Sequence, residues 1–140
     1  MVRKEPHCDV IPNAGDLAAK RCVPCEGGVP AITTEQAAGW MRAIPAWRLD
    51  DNGKWIRRRC VYPNFVSAIR VLNQVADVAE SEQHHPDLAV TGYRNLEIAL
   101  TTHAIGGLSE NDFVLAAKIE AILIDSEGLS ASSTSTDDRP

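Results

Sequence analysis

Three of the four histidines in this 140-residue chain fall between Glu80 and Asp112. His84 and His85 form a His-His-Pro run closed by Pro86, and His103 follows Thr102 just ahead of the Gly106-Gly107 pair. Glu80 lies four residues before His84, so on one helix their side chains would be neighbours, and the carboxylate would orient the ring. Pro86 pushes its predecessor out of the helical region, so His85 is expected to point elsewhere. The two rings would then approach a small ligand from two directions. Asp112 has two readings: it is the N3 residue of a capping box begun by Ser109, and it is within one loop of His103.

Other chemistries fit poorly. No HxH or HExxH spacing supports a metal held by His84, His85 and His103. No cysteine lies near the cluster for nucleophilic catalysis, and no glycine-rich phosphate loop is present. General acid-base chemistry remains, for which histidine is suited because it ordinarily titrates near neutral pH.

The elements that must position these groups follow from hydrophobic spacing. Thr33 and Gln36 form a capping box, and Ala37, Trp40, Met41 and Ile44 share one helical face before Pro45. Trp47–Leu49 and Trp55–Tyr62 read as strands of a hairpin around Asp50-Asp51-Asn52-Gly53. Asn64 then caps a long helix with one stripe of Phe65, Ile69, Leu72, Ala76 and Ala79 and a second of Val71, Val75 and Val78. So wide an apolar arc covers a sheet on one side and meets another element, or a neighbouring subunit, on the other. Strands Leu88–Tyr93 and Leu96–Thr102, joined through Arg94-Asn95, come next. In the second, Leu96, Ile98 and Leu100 alternate with Glu97, Ala99 and Thr101, a half-buried antiparallel pattern. That alternation puts His103 opposite the leucine face unless the strand ends first, and does not decide whether it meets His84. A last helix carries Phe113, Ala116, Ala117, Ile119, Ile122 and Leu123.

The order α-β-β-α-β-β-α predicts an α+β fold, a four-stranded antiparallel sheet with helices packed on one face. Residues 1–30 are expected to be an extended, cysteine-containing lead-in, residues 31–125 the domain, and residues 126–140 a disordered polar tail.

Composition bounds the function. Hydrophobic residues make up 44% and charged residues 24%, ordinary for one globular domain. A formal net charge of -5 argues against nucleic acid as a partner, and Arg57-Arg58-Arg59 is the only basic run, read as a solvated strand face. No apolar run reaches the about 20 residues of a membrane helix, and no signal or transit peptide is evident, so a cytoplasmic location is expected. Cys22 and Cys25 form a CxxC followed by a Gly-Gly turn. Only His7, Cys8 and distant Cys60 could complete a zinc site, and a thioredoxin-type motif would open a helix instead. The CxxC is read as structural or inert, ahead of a metal or redox role.

The block from Glu80 to Pro86, with Tyr93 and the Thr102–Asp112 pattern TH-x3-GLS-x2-D, resembles the pterin-4a-carbinolamine dehydratase family. Trp47, Arg58 and Asn64-Phe65 extend the likeness over about residues 31–124. The resemblance implies the α-β-β-α-β-β-α layer, assembly as homodimers or homotetramers, and no metal or organic cofactor. It implies dehydration of a 4a-hydroxytetrahydropterin to the quinonoid dihydropterin. His84, His85 and His103 match the family's catalytic histidines, with Glu80 and Asp112 in support. Trp47, Pro86 and Thr102 match its substrate-binding positions. Members of the family also act as binding proteins, one as a dimerisation cofactor of a transcription factor and one in RuBisCO assembly in carboxysomes. That is the alternative function the resemblance implies here.

Overall fold

The computed structural model describes residues 14–19 and 31–130. The Cys22-Cys25 motif, His7, Cys8 and residues 131–140 lie outside them. Helix α1 spans Ala14–Ala19 and α2 Thr34–Trp40, continued by a 3-10 turn over Met41–Ala43. Strands β1 (Arg48–Leu49) and β2 (Ile56–Val61) precede the long helix α3 (Phe65–Glu82). Strands β3 (Asp87–Thr91) and β4 (Asn95–Leu100) follow, then a 3-10 turn over His103–Ile105 and helix α4 (Glu110–Ser130). From residue 31 onward this is the expected α+β order.

The four strands form one antiparallel sheet in the order β1-β2-β4-β3. Period-two alternation divides most of it, although Ala99 near the end of β4 is buried as well. Ile56, Cys60, Leu96, Ile98 and Leu100 are buried on the helix-covered face, whereas Arg57, Arg59 and Glu97 are exposed on the other. Register places Ile56 opposite Leu100 and Asp87 opposite Ala99. The start of β2, the start of β3 and the end of β4 therefore meet at one end of the sheet. The arginine run splits accordingly: Arg57 and Arg59 turn outward toward Asp50 and Glu97, while Arg58 turns inward to Glu120.

Helix α2 carries both halves of its capping box, Gln36 N–H to Thr33 Oγ1 and Thr33 N–H to Gln36 Oε1. In α3 the face turned inward is Ala68, Val71, Val75 and Ala79, chosen because small side chains let the helix lie close to the sheet and α4. Most of the first stripe is thereby displaced: Phe65 is 51% exposed and Ala76 is exposed, with Ile69 and Leu72 at the margin. Helix α4 touches both α1 and α3. Residues 111–117 are consequently buried all round, as expected of a helix with neighbours on several sides. Phe113, Leu115, Ile119 and Leu123 anchor this core, each side chain contributing about 1.5–3 kcal/mol on burial.

Three boundaries differ from the sequence reading. The lead-in is not wholly extended: α1 docks on α4 with Leu17 fully buried, and Lys118 Nζ donates to the Ala18 carbonyl at 2.7 Å. The last helix continues to Ser130, past the expected start of the tail at residue 126. The β3–β4 turn falls at Gly92–Arg94, with Gly92 and Tyr93 both left-handed at φ 54° and 56°. Among the described residues, no helix is long and apolar enough to cross a membrane.

Candidate active site

The way α3 ends decides where its histidines go. Gln83 adopts left-handed angles (φ 56°, ψ 38°). Its N–H returns to the Glu80 carbonyl and that of His84 to the Ala79 carbonyl, the double closure of a Schellman motif. His84 is thus already outside the helix, and the expected Glu80–His84 neighbourhood does not form. Helical spacing of four brings side chains together only while both residues keep helical angles. Instead His84 Nε2 lies 2.6 Å from Asp112 Oδ1, and Glu80 Oε1 lies 3.0 Å from His85 Nε2. The two pairs differ in environment. The His84 and Asp112 side chains are 12% and 0% exposed, those of His85 and Glu80 63% and 78%.

Asp112 fulfils its expected capping role, but the histidine it reaches is His84 and not His103. Its Oδ2 accepts from Ser109 N–H at 2.9 Å, the returning half of a capping box, and from Thr102 Oγ1–H at 2.7 Å. Its Oδ1 is left for His84. A carboxylate in the first turn of α4 is also favoured by the helix dipole. Thr102, expected at the substrate, is buried, and its hydroxyl is engaged by Asp112 and by Ser109 Oγ at 2.8 Å. Thr102 and Ser109 fix the carboxylate, and the carboxylate fixes the His84 ring.

β4 stops at Leu100, so the strand does break before His103. Thr102 pairs with Gly107 in an isolated bridge, and Gly106, left-handed at φ 69°, closes the turn with its N–H on the His103 carbonyl. His103 is exposed at the head of that turn, and its ring meets Trp55 edge-on with centroids 5.7 Å apart. Because Thr102 holds Asp112, that carboxylate links His84 to the residue preceding His103.

Trp55 was not among the expected site residues. The available signal was register: it immediately precedes Ile56, whose partner Leu100 ends β4, so it stands level with Thr101–His103. Arg57 lies over the Trp55 ring, its guanidinium carbon 5.1 Å from the centroid. Two hydrogen bonds to Asp50, at 2.9 and 3.2 Å, hold the guanidinium above the usual arginine range. Trp47, expected at the substrate, is 3% exposed and donates its indole N–H to Glu120 Oε1 at 2.8 Å. Arg58 grips the same Glu120 with two hydrogen bonds, 3.0 and 3.1 Å. Pro86 is half-buried between His85 and β3. Among the described residues, no three His, Cys, Asp or Glu side chains are grouped so as to hold a metal ion.

Residues 30–122 match the family model described as pterin 4 alpha carbinolamine dehydratase. The chain belongs to that family. Relatives of the pterin-4-alpha-carbinolamine dehydratase family include a protein of Halorhodospira halophila, 45% identical over 106 residues that cover 76% of this chain and 96% of the relative. Another is mitochondrial pterin-4-alpha-carbinolamine dehydratase 2 of Arabidopsis thaliana, 41% identical over 79% of this chain and 60% of its own length. Among solved structures, the transcriptional coactivator/pterin dehydratase of Brucella melitensis superposes with a TM-score of 0.61 at 29% identity. That likeness covers 66% of this chain and 97% of the other.

Proposed function

We propose that this chain is a hydro-lyase, a pterin-4a-carbinolamine dehydratase that removes water from a 4a-hydroxytetrahydropterin by histidine acid-base catalysis. The observation that carries this reading is the pairing of His84 with the buried Asp112, tied through Thr102 to the loop that carries His103. Relatives named for this dehydratase support the substrate class.

Dehydration requires the C4a–O bond to break while N5 loses its proton. With Nε2–H donated to Asp112, a neutral His84 ring carries its lone pair on Nδ1 and serves as the base for the N5 proton. His103, exposed and without a carboxylate partner among the described residues, delivers a proton to the departing hydroxyl. Water and the quinonoid dihydropterin leave, and solvent returns one proton to His103 and takes one from His84. His85, exposed and steadied by Glu80, contacts the bound pterin. None of these steps calls on a metal or organic cofactor.

The test is dehydration of freshly generated 4a-hydroxytetrahydropterin. His103→Ala is expected to abolish acceleration while the far-ultraviolet circular dichroism stays native; undiminished turnover would sink the assignment. A second reading, a protein-binding family member such as a RuBisCO assembly factor, is favoured by exposed Phe65 and Val66 opening α3. The same surface suits a homodimer or homotetramer. No acceleration, together with recovery of a stable macromolecular partner, would carry the second reading.

A further inference from the structure

The two histidines given proton-transfer roles are held very differently. His84 is fixed by a buried carboxylate that is itself fixed by Thr102 and Ser109. His103 is exposed, and among the described residues its ring has no hydrogen bond or ion pair; its recorded neighbour is the Trp55 indole, met edge-on at 79°. An exposed side chain without a partner exchanges rotamers in picoseconds to nanoseconds, and a general acid free to do so is rarely aligned with the oxygen it must protonate. Edge-to-face contact supplies the missing constraint, because the positive edge of one ring is attracted to the negative face of another.

Trp55 is in turn constrained from its own strand. Arg57, two residues on, places its guanidinium over the indole, a cation–π contact, and Asp50 across the β1–β2 turn holds that guanidinium with two hydrogen bonds. The sequence from Asp50 through Arg57 and Trp55 to His103 thus runs along one end of the sheet, separate from the buried Asp112 network. Trp47 has no equivalent freedom, since its N–H is taken by Glu120.

We propose that Trp55 is a positioning residue for His103, braced by Arg57 and Asp50, and that it sets how often the His103 imidazole is aligned for proton delivery. This rests on the dehydratase reading above and assigns a role to a residue outside the motif that supports that reading.

The experiment compares wild type, Trp55→Leu and Trp55→Phe in a stopped-flow dehydration assay, alongside proton NMR of the His103 ring. The ring signals are identified by their loss in His103→Ala. Trp55→Leu is expected to lower kcat about tenfold with KM changed less than about twofold, and Trp55→Phe to recover most of the loss. The His103 ring signals, shifted by the indole ring current in the wild type, should move in Trp55→Leu and return part of the way in Trp55→Phe. Arg57→Gln, on an exposed strand face, is expected to lower kcat about threefold in the same direction. An active wild type matched in kcat by Trp55→Leu would overturn the role of Trp55 alone. So would a rise in KM at constant kcat, which would make Trp55 a substrate contact instead. An inactive wild type would overturn the dehydratase reading and this role with it.

Discussion

His84 Nε2 and Asp112 Oδ1 lie 2.6 Å apart, joining the end of α3 to the first turn of α4 beneath the surface. Asp112 accepts from three donors, and an amide in its place would turn an N–H₂ group toward one of them. Asp112→Asn is therefore expected to cost about 1–3 kcal/mol in stability and to lower turnover about 100-fold or more, through loss of the tautomer that frees Nδ1. Urea unfolding and stopped-flow assays measure the two effects separately.

Glu80 provides the contrast. Its pair with His85 is exposed and screened by solvent, so Glu80→Gln should change stability by less than about 0.5 kcal/mol. Turnover should fall less than about fivefold, because the proposed mechanism assigns no proton transfer to the His85 ring that Glu80 assists. A loss equal to that of Asp112→Asn would show that Glu80 supports the reacting histidine after all.

Two tryptophans predict costs of different size for the same substitution. Trp47 donates to Glu120, which also receives Arg58, in a largely buried trio. Trp47→Phe leaves that carboxylate short of a donor and should cost about 1–3 kcal/mol. Trp40 packs edge-on against Phe113 with its Nε1 buried and, among the described residues, without a hydrogen-bond partner, so Trp40→Phe removes that donor while keeping an aromatic ring. It should cost less than about 1 kcal/mol. Equilibrium denaturation of both variants, side by side, checks the ranking.

Gln83 closes α3 in the left-handed region, where a Cβ is unfavourable. Gln83→Gly is expected to raise stability by about 0.5–1 kcal/mol without altering the His84–Asp112 pair. A destabilised variant would mean that the Gln83 side chain contributes more than its backbone conformation costs.

Particular residues show how far the sequence reached. Alternation of Leu96, Ile98 and Leu100 with Glu97, Ala99 and Thr101 marked the core-facing side of β4, and Thr33 with Gln36 marked the start of α2. Pro86 correctly signalled that the chain turns near His84, and Ser109-x2-Asp112 correctly marked the start of α4. These are local signals, set by backbone sterics and by period.

The rest was decided in three dimensions. One left-handed residue, Gln83, exchanged the partners of His84 and His85, because a helical spacing rule lapses at the first non-helical angle. Docking of Leu17 against α4 ordered a helix in a stretch whose own periodicity was weak. Strand register, which no single segment carries, set Trp55 beside His103, and the packing of α4 brought Glu120 to Trp47. Residue types and spacings by themselves determined that this protein has a two-hairpin α+β layer with histidines gathered after its long helix. Which carboxylate serves which histidine, and which tryptophan attends them, only the tertiary structure decided, because those pairings join segments far apart in sequence whose meeting depends on the packed whole.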